Sequence, residues 1–350
     1  MTIFTILING QRWTAFESIE VEASVNEAAR SFAIEVAAEC GGPAIAAAFA
    51  AGSKVEIFAD ADQLFNGYID RRRPHLDAER AYVTISGRAK GQDAVDSSIV
   101  HATGSFQNLR PHEALQQLDV FGIGFSAAVP LDALPVLQVT PGETLHQFGA
   151  RLCRAQNVNL VGQADGSIKL WNASVAARHP TPLIEGKNVK VIDADHNWSR
   201  RHSHHHVRGQ RATGTDETAL QVEATATDEA VTRYRPHVLV QTEDTDKTRA
   251  IGRATTKRDR AIGRSLSATV EIQGVSDAGG TLYDAGLIVY VESPFAEIAQ
   301  DMLIEHIAWR QSSAGTLCRL GLVDPAAHGG KSPKFKKSGP GWKATHAKAS

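Results

Sequence analysis

LFNGYIDRRRPHLDAERAYVTISGRAKGQDAVDSS, residues 64–98, is the stretch that sets the fold. Two runs with strand periodicity flank a polar turn expected from Pro74 to Arg80, and the second run passes through Gly87 and Gly91 into a short helix. In the first run Phe65 and Ile69 share a face, with Gly67 between them. In the second, Val83 and Ile85 face one way while Tyr82, Thr84 and Ser86 face the other, the alternation of a half-buried strand. A glycine inside a strand marks a bend or a close backbone approach, as in a small barrel. Arg71, Arg72 and Arg73 close the first run, either as a solvated charged turn or as a charged subunit contact.

Working outward, Ile3 to Ile8 reads as a strand closed by an Asn9-Gly10 turn, and Trp13 to Phe16 begins its partner. Ile19 to Ala23, Ser31 to Ala37 and Val55 to Phe58 continue the pattern, and Ala44 to Ala51 reads as a short helix or loop. Closely spaced short strands over the first 90 residues predict an antiparallel barrel or sandwich.

The texture changes after residue 95. Pro111 opens a helix carrying Leu115 and Leu118, Ile123 to Ser126 is a strand, and residues 140–156 form the clearest helix. There Thr140 is the expected N-cap, Pro141 the first helical residue and Glu143 the capping-box acid, with Leu145, Phe148, Leu152 and Cys153 on one face. A hairpin follows through Asp165-Gly166. Strands return at Val189 to Ile192 and His204 to Gly209, then a polar stretch from Gln210 to Glu229 reads as a loop. A helix over residues 244–264 presents Arg249, Arg253 and Lys257 at four-residue spacing, a basic face open to solvent, a protein partner or a nucleic-acid backbone. Leu266 to Val275, Leu287 to Val291, Met302 to Trp309 and Thr316 to Val323 are strands, and the lysine-rich segment from Ala326 is expected to be disordered.

The pattern therefore predicts an α+β, mainly β, chain: a first antiparallel β domain, barrel or sandwich, over 1–95, an intervening helix-containing α/β domain over 96–185, a second β-rich domain over 186–325 with the helical insertion 244–264, and a tail over 326–350.

Composition narrows the chemistry. With 350 residues and a hydrophobic fraction of 42%, the chain can build more than one core. Its 37 basic and 39 acidic residues balance, which argues against a general nucleic-acid coat. Cys40, Cys153 and Cys318 are too few and too scattered for a disulfide framework or a zinc site. Neither a secretory leader nor an 18-residue apolar run is visible, so no membrane insertion is expected. The run Arg201-His202-Ser203-His204-His205-His206 could offer imidazoles, yet on a strand His204 and His206 share one face and His205 takes the other. Asp193 and Asp195, beside His196, lack a nucleophile or a second motif. The glycine pairs at 41–42 and 279–280 match no phosphate-binding fingerprint. No catalytic residue, cofactor or metal is expected.

Four stretches resemble the tail hub proteins of Mu-type contractile phages, a family related to the hub part of VgrG-like spikes. GYIDRRR with TISGRAK (residues 67–90) is similar to the family's paired strands, and VTRYRPHVLVQTEDTDK (231–247) to its segment leading into a basic helix. SATVEIQGVSDAGGTLYDAGLIVYVESP (267–294) and VLQVTPGETLHQFGARLCRAQNVNL (136–160) also fit, colinearly over about residues 1–325. The histidine run and the lysine tail depart from the family pattern.

The resemblance implies a structural hub of a contractile phage or prophage tail, assembled in the bacterial cytoplasm and located in the virion baseplate. Two similar barrels per chain would let a homotrimer present six similar faces, joining the sixfold tail tube to the threefold central spike, among other baseplate proteins. DNA would pass through a central channel without specific binding, so Arg71, Arg72, Arg73, Arg249, Arg253 and Lys257 are expected at subunit or partner contacts and away from the lumen. Two other readings stay open: the hub of an injection or secretion apparatus, and a tail-associated cell-wall hydrolase.

Overall fold

The structure, a computed structural model, describes residues 3–37, 49–211, 221–241 and 245–330. Seven strands come first: β1 (Phe4–Ile8), β2 (Gln11–Trp13), β3 (Ser18–Ser24), β4 (Ser31–Ala37), β5 (Lys54–Ala59), β6 (Asp62–Leu76) and β7 (Ala81–Ala89). Asn9 and Gly10 both take positive φ, the conformation that a tight β1–β2 hairpin demands. The β2 partner is shorter and earlier than the expected 13–16, and the expected helix or loop at 44–51 lies largely outside the described residues.

β6 does not end at its arginines. It continues through Pro74 to Leu76, and the turn is Asp77 to Arg80, closed by Asp77 N–H donating to the Arg80 carbonyl. The turn expected from Pro74 thus starts three residues later, because β6 runs along an edge beyond residue 69, where a proline's missing donor is tolerated. Gly67 and Gly87 do mark a close approach. A Cβ on Gly87 would sit 1.9 Å from the Tyr68 carbonyl oxygen, and one on Gly67 would sit 2.2 Å from that of Arg88.

The middle of the chain contains α1 (Asp93–Asp96), β8 (Ser105–Leu109), α2 (Pro111–Leu118), β9 (Phe125–Ala127), β10 (Leu134–Gln138), α3 (Leu145–Ala155), β11 (Asn159–Gly162) and β12 (Ile168–Trp171). α3 begins five residues later than expected. Gly142, at φ 85°, interrupts any helix from Thr140, whose own turn is closed by Glu143. Thr144 is the N-cap instead: its hydroxyl accepts from Gln147 N–H, and the Gln147 side chain accepts from Thr144 N–H. The anticipated apolar face is correct, with Leu145, Phe148, Leu152 and Cys153 buried in a core of their own against α2 and the β9–β12–β11 sheet.

The last part holds β13 (Leu183–Ile184), β14 (Val191–His196), β15 (His204–Gly209), β16 (Val222–Thr227), β17 (Pro236–Val240), α4 (Lys247–Gly263), β18 (Leu266–Gln273), β19 (Ile288–Ser293), β20 (Ile298–Ser312) and β21 (Gly315–Val323). β16 falls where a loop was expected. Its small residues Val222, Ala224 and Ala226 alternate inward, a stripe too weakly hydrophobic to stand out, and meet Ala250 and Ala254 of α4. β14 lies later than the expected 189–192 and takes in both aspartates. Pro325 to His328 form a buried turn of 3₁₀ helix, so the fold runs past the boundary drawn at residue 325; residues 331–350 lie outside the described residues.

The chain is mainly β. Thirteen strands belong to one sheet, with the path β14-β18-β21-β20-β3-β4-β7-β6-β5-β1-β2 and with β19 and then β13 attached beside β20. Among the described ladders this path is open, without ring closure. It contains the same order twice. β3-β4-β7-β6-β5 in the first part corresponds to β14-β18-β21-β20-β19 in the last, each the first, second, fifth, fourth and third strand of its set. β6 and β20 are both 15 residues long, and each carries a bulge at the equivalent place; in β20 it marks the passage from β19 to β3.

The two sets join through β20·β3, seven antiparallel pairs from His306↔Ser24 to Ser312↔Ser18, over one continuous hydrophobic cluster. Arg30 pins this junction. Its buried guanidinium donates to the Leu64 carbonyl at 3.0 Å and to both Asp284 carboxylate oxygens at 2.9 and 2.8 Å, and lies 5.4 Å over the Trp309 ring. Removing it would leave the Asp284 carboxylate without its counter-ion and the Leu64 carbonyl without this donor. Arg30→Ala is therefore expected to lower unfolding free energy by about 3–5 kcal/mol, and Arg30→Lys, which lacks the bidentate fork, to recover only part of that. Urea denaturation followed by tryptophan fluorescence measures both.

Candidate functional site

The chemistry-bearing residues are distributed over surfaces. A cleft of about 450 Å³ beside the junction is lined by Asn26, Asp195, Asn197, Arg200, Arg264 and Glu305. Glu305 is already engaged: it accepts from Asn26 at 3.0 Å and pairs with the buried His328 ring at 2.7 Å, which holds its carboxyl below the usual range. No group of three or more potential metal ligands is assembled among the described residues.

The histidine run divides as the strand period requires. His204 and His206 stack on one face of β15 with ring centres 5.9 Å apart, and His206 bonds Thr225 Oγ1 at 2.8 Å. His205 is buried on the other face, 5.7 Å from the rings of both His202 and His237, and neither of its nitrogens has a hydrogen-bond partner among the described residues. A bidentate buried pair, Arg201 to Asp228 at 2.9 Å, anchors the start of this module.

Arg71, Arg72 and Arg73 lie contiguously on the far half of β6, all exposed and without an ion pair to any described residue. On α4, Arg249 pairs with the N-cap Asp246 at 3.7 Å, Arg253 is half-buried and Lys257 is exposed. These three share a stripe beside the buried Ala250 and Ala254, so the spacing argument holds. No ladder joins β6 to the α4 module, and the two basic groups form separate surfaces. Arg30 sits at an isolated position that carries no motif. Asp193 and Asp195, weak catalytic candidates by sequence, both project exposed from the edge strand β14. The signal was available in the matching alternations Ile19-Glu20-Val21-Glu22 and Ile192-Asp193-Ala194-Asp195.

Comparison with known proteins places these surfaces in context. Two family models match, "Mu phage baseplate assembly protein GpP-like, N-terminal" over residues 3–89 and "Mu phage baseplate assembly protein GpP, fourth domain" over residues 245–330. The baseplate hub protein gp44 of Escherichia phage Mu is 25% identical over 316 residues, covering 87% of this chain and 82% of that one. Both ends of the chain match Mu baseplate-assembly domains, and most of its length is similar to the phage Mu hub.

The crystal structure of the 43 kDa tail protein of prophage MuSo2 from Shewanella oneidensis is similar to this chain at TM-score 0.84 and 25% identity. It covers 94% of this chain and 99% of the other. A type VI secretion component of E. coli shares the fold, with TM-score 0.57 at 10% identity over 94% of this chain and 79% of its own.

The buried histidine has a consequence for stability. Burial first, then His237 and His202, push His205 from 6.5 down to about 4, with Asp228 opposing and Arg258 adding. The unfolded chain therefore binds this proton first as pH falls. Stability supplied by the neutral ring is present above pH 6.5 and is lost as pH drops towards 4. Denaturant midpoints measured across that window are expected to fall with pH, and His205→Leu to flatten the slope.

Proposed function

We propose that the chain is the structural hub of a contractile phage or prophage baseplate, acting as a homotrimer that joins a sixfold tail tube to a threefold central spike around a DNA channel. The observation that carries this reading is the repeated strand order, β3-β4-β7-β6-β5 and β14-β18-β21-β20-β19, within one chain. A threefold object can meet a sixfold one only by offering the same kind of surface six times. Two equivalent five-stranded sets per chain supply six in a trimer, and cyclic closure leaves an opening on the axis. The two family-model matches and the likeness to the phage Mu hub support the same assignment.

Charge placement fits a channel that DNA traverses without sticking. A strongly basic lumen would bind the phosphate backbone, so Arg71, Arg72, Arg73 and the α4 stripe of Arg249, Arg253 and Lys257 belong at subunit or partner contacts. The tube protein, the spike and other baseplate proteins are the partners this reading assigns. The fold is shared with a secretion-system component, which keeps an injection apparatus as the second reading; the two phage family models favour the tail. Cell-wall hydrolysis is a third, and a zymogram on purified peptidoglycan is expected to show no clearing.

Multi-angle light scattering of the purified chain at micromolar concentration tests the central claim. A mass three times the 37.6 kDa of the chain is expected. A monomer across that range would overturn the trimer.

A further inference from the structure

The duplicated strand order leaves two sheet edges unmatched, and the occupied counterparts of those edges give the rule for covering them. In the last set, the far half of β20 carries β3 on its outer edge. Val25 N–H donates to the Glu305 carbonyl at 2.9 Å, which fixes the phase of that ladder: Ile307, Trp309 and Gln311 direct their backbone groups at β3.

β6 is the counterpart of β20, and the match is residue by residue. Ile304 exchanges backbone hydrogen bonds with the Gly286–Leu287 segment, and Ile69 does the same with Gly52–Ser53. Gly52 and Gly286 share positive φ, 83° and 88°. One residue is bulged after each isoleucine, so Arg71 to Leu76 correspond to His306 to Gln311. By that phase Arg72, Pro74 and Leu76 aim their backbone at the outer edge, and among the described residues no strand occupies it. The missing proline donor falls on this open side and costs the β7 ladder nothing.

β14 is likewise the counterpart of β3. Ile19, Glu20, Val21 and Glu22 pair with Ile34, Ala33, Phe32 and Ser31 of β4. Ile192, Asp193, Ala194 and Asp195 pair with the equivalent Val270, Thr269, Ala268 and Ser267 of β18. β3 gives its other edge to β20, whereas among the described strands β14 ends the sheet. One open edge thus bears three consecutive arginines, and the other bears two aspartates where β3 bears two glutamates.

We propose that β6 of one protomer pairs antiparallel with β14 of the next, in the register that β20·β3 uses within the chain. Arg73 then stands opposite Asp195, His75 opposite Asp193 and Leu76 opposite Ile192. This rests on the trimeric reading, and it specifies the contact that closes the ring. Junctions within and between chains alternate, six in all, and both open edges are consumed. Opposite charges meet on the outward face, while Leu76, which is 81% exposed in the single chain, meets the partly covered Ile192. Pro74 removes one donor, so the contact between chains has one hydrogen bond fewer than its counterpart within the chain.

The register can be read directly. Arg73 and Asp195 correspond to Ala308 and Glu22, which by the same phase form a non-hydrogen-bonded pair, where Cα atoms approach to about 4.5 Å and a disulfide fits. In a Cys40→Ser background, which leaves only the buried Cys153 and Cys318, Arg73→Cys with Asp195→Cys is expected to give covalent species up to trimer size on oxidation. Arg73→Cys with Val191→Cys, four residues out of register, is expected to give none. A trimeric unsubstituted chain whose in-register pair fails to cross-link, or whose shifted pair cross-links instead, overturns the register and leaves the trimer standing. A monomeric unsubstituted chain overturns the trimer and this contact with it. The charge exchange gives a second readout: Arg73→Asp and Asp195→Arg are each expected to weaken trimer association, and their combination to restore it. Single exchanges without effect on a trimer whose edges do not cross-link would mark proline and arginine as guards that keep the β6 edge unpaired.

Discussion

Everything in this molecule depends on two sheets being made one at β20·β3. Seven residue pairs between two strands would align the two sets but would not by themselves fix how each sits on the middle of the chain. Arg30 supplies that. It leaves the turn between β3 and β4 and reaches Leu64 in the first set, Gly162 in the middle region and Asp284 in the last, with Trp309 of β20 beneath it. A single guanidinium with a fixed fork of donors can satisfy acceptors from three parts of the chain at once, which a lysine could not. Trp309 is itself fully buried and donates to the Tyr283 carbonyl at 3.0 Å, so apolar burial and polar pairing lock the same point.

The bulges are what allow a strand to serve such a junction. A straight 15-residue strand would present one flat edge to a single neighbour on each side. With Glu305 bulged out, β20 gives its first half to β19 and bends its second half onto β3. β6 bends at the equivalent place, and the closeness of Gly67 and Gly87 to the opposing backbone shows how tightly β6 and β7 are drawn together there.

Much of this was legible in the sequence where apolar and polar residues alternate strongly. β3, β4, β7, β18 and β21 all bury Val, Ile, Leu or Phe on one face, and the period alone locates them. The basic stripe on α4 was legible because four-residue spacing maps directly onto a helix face. What escaped detection had weaker or conflicting local signals. β16 buries alanines. Thr140-Pro141-Gly142-Glu143 has the composition of a capping box, yet the glycine's left-handed backbone moves the cap to Thr144. Pro74 reads as a breaker only if its missing donor faces a neighbour, and which side it faces is decided by the bulge four residues earlier. Arg30 had no local signal at all, because its acceptors are 34, 132 and 254 residues away.

The places where the two sets differ matter as much as where they agree. β3 turns into β4 within six residues, while the same step from β14 to β18 encloses β15, β16, β17 and α4. That inserted module has its own small core of Val207, Val222, Ala224, Ala226, Ala250 and Ala254, and α4 packs Gly263 against Ala327 so closely that a Cβ would lie 2.2 Å from the Ala327 nitrogen. It is therefore held firmly to one set and has no counterpart on the other. In a ring of alternating sets, features common to both recur six times, and features of one set recur three times. Under the proposed assembly, the shared strands address the sixfold neighbour. The inserted module and the α2–α3 region are what a threefold neighbour would recognise, so a single polypeptide carries both symmetries by having only partly diverged from its own repeat.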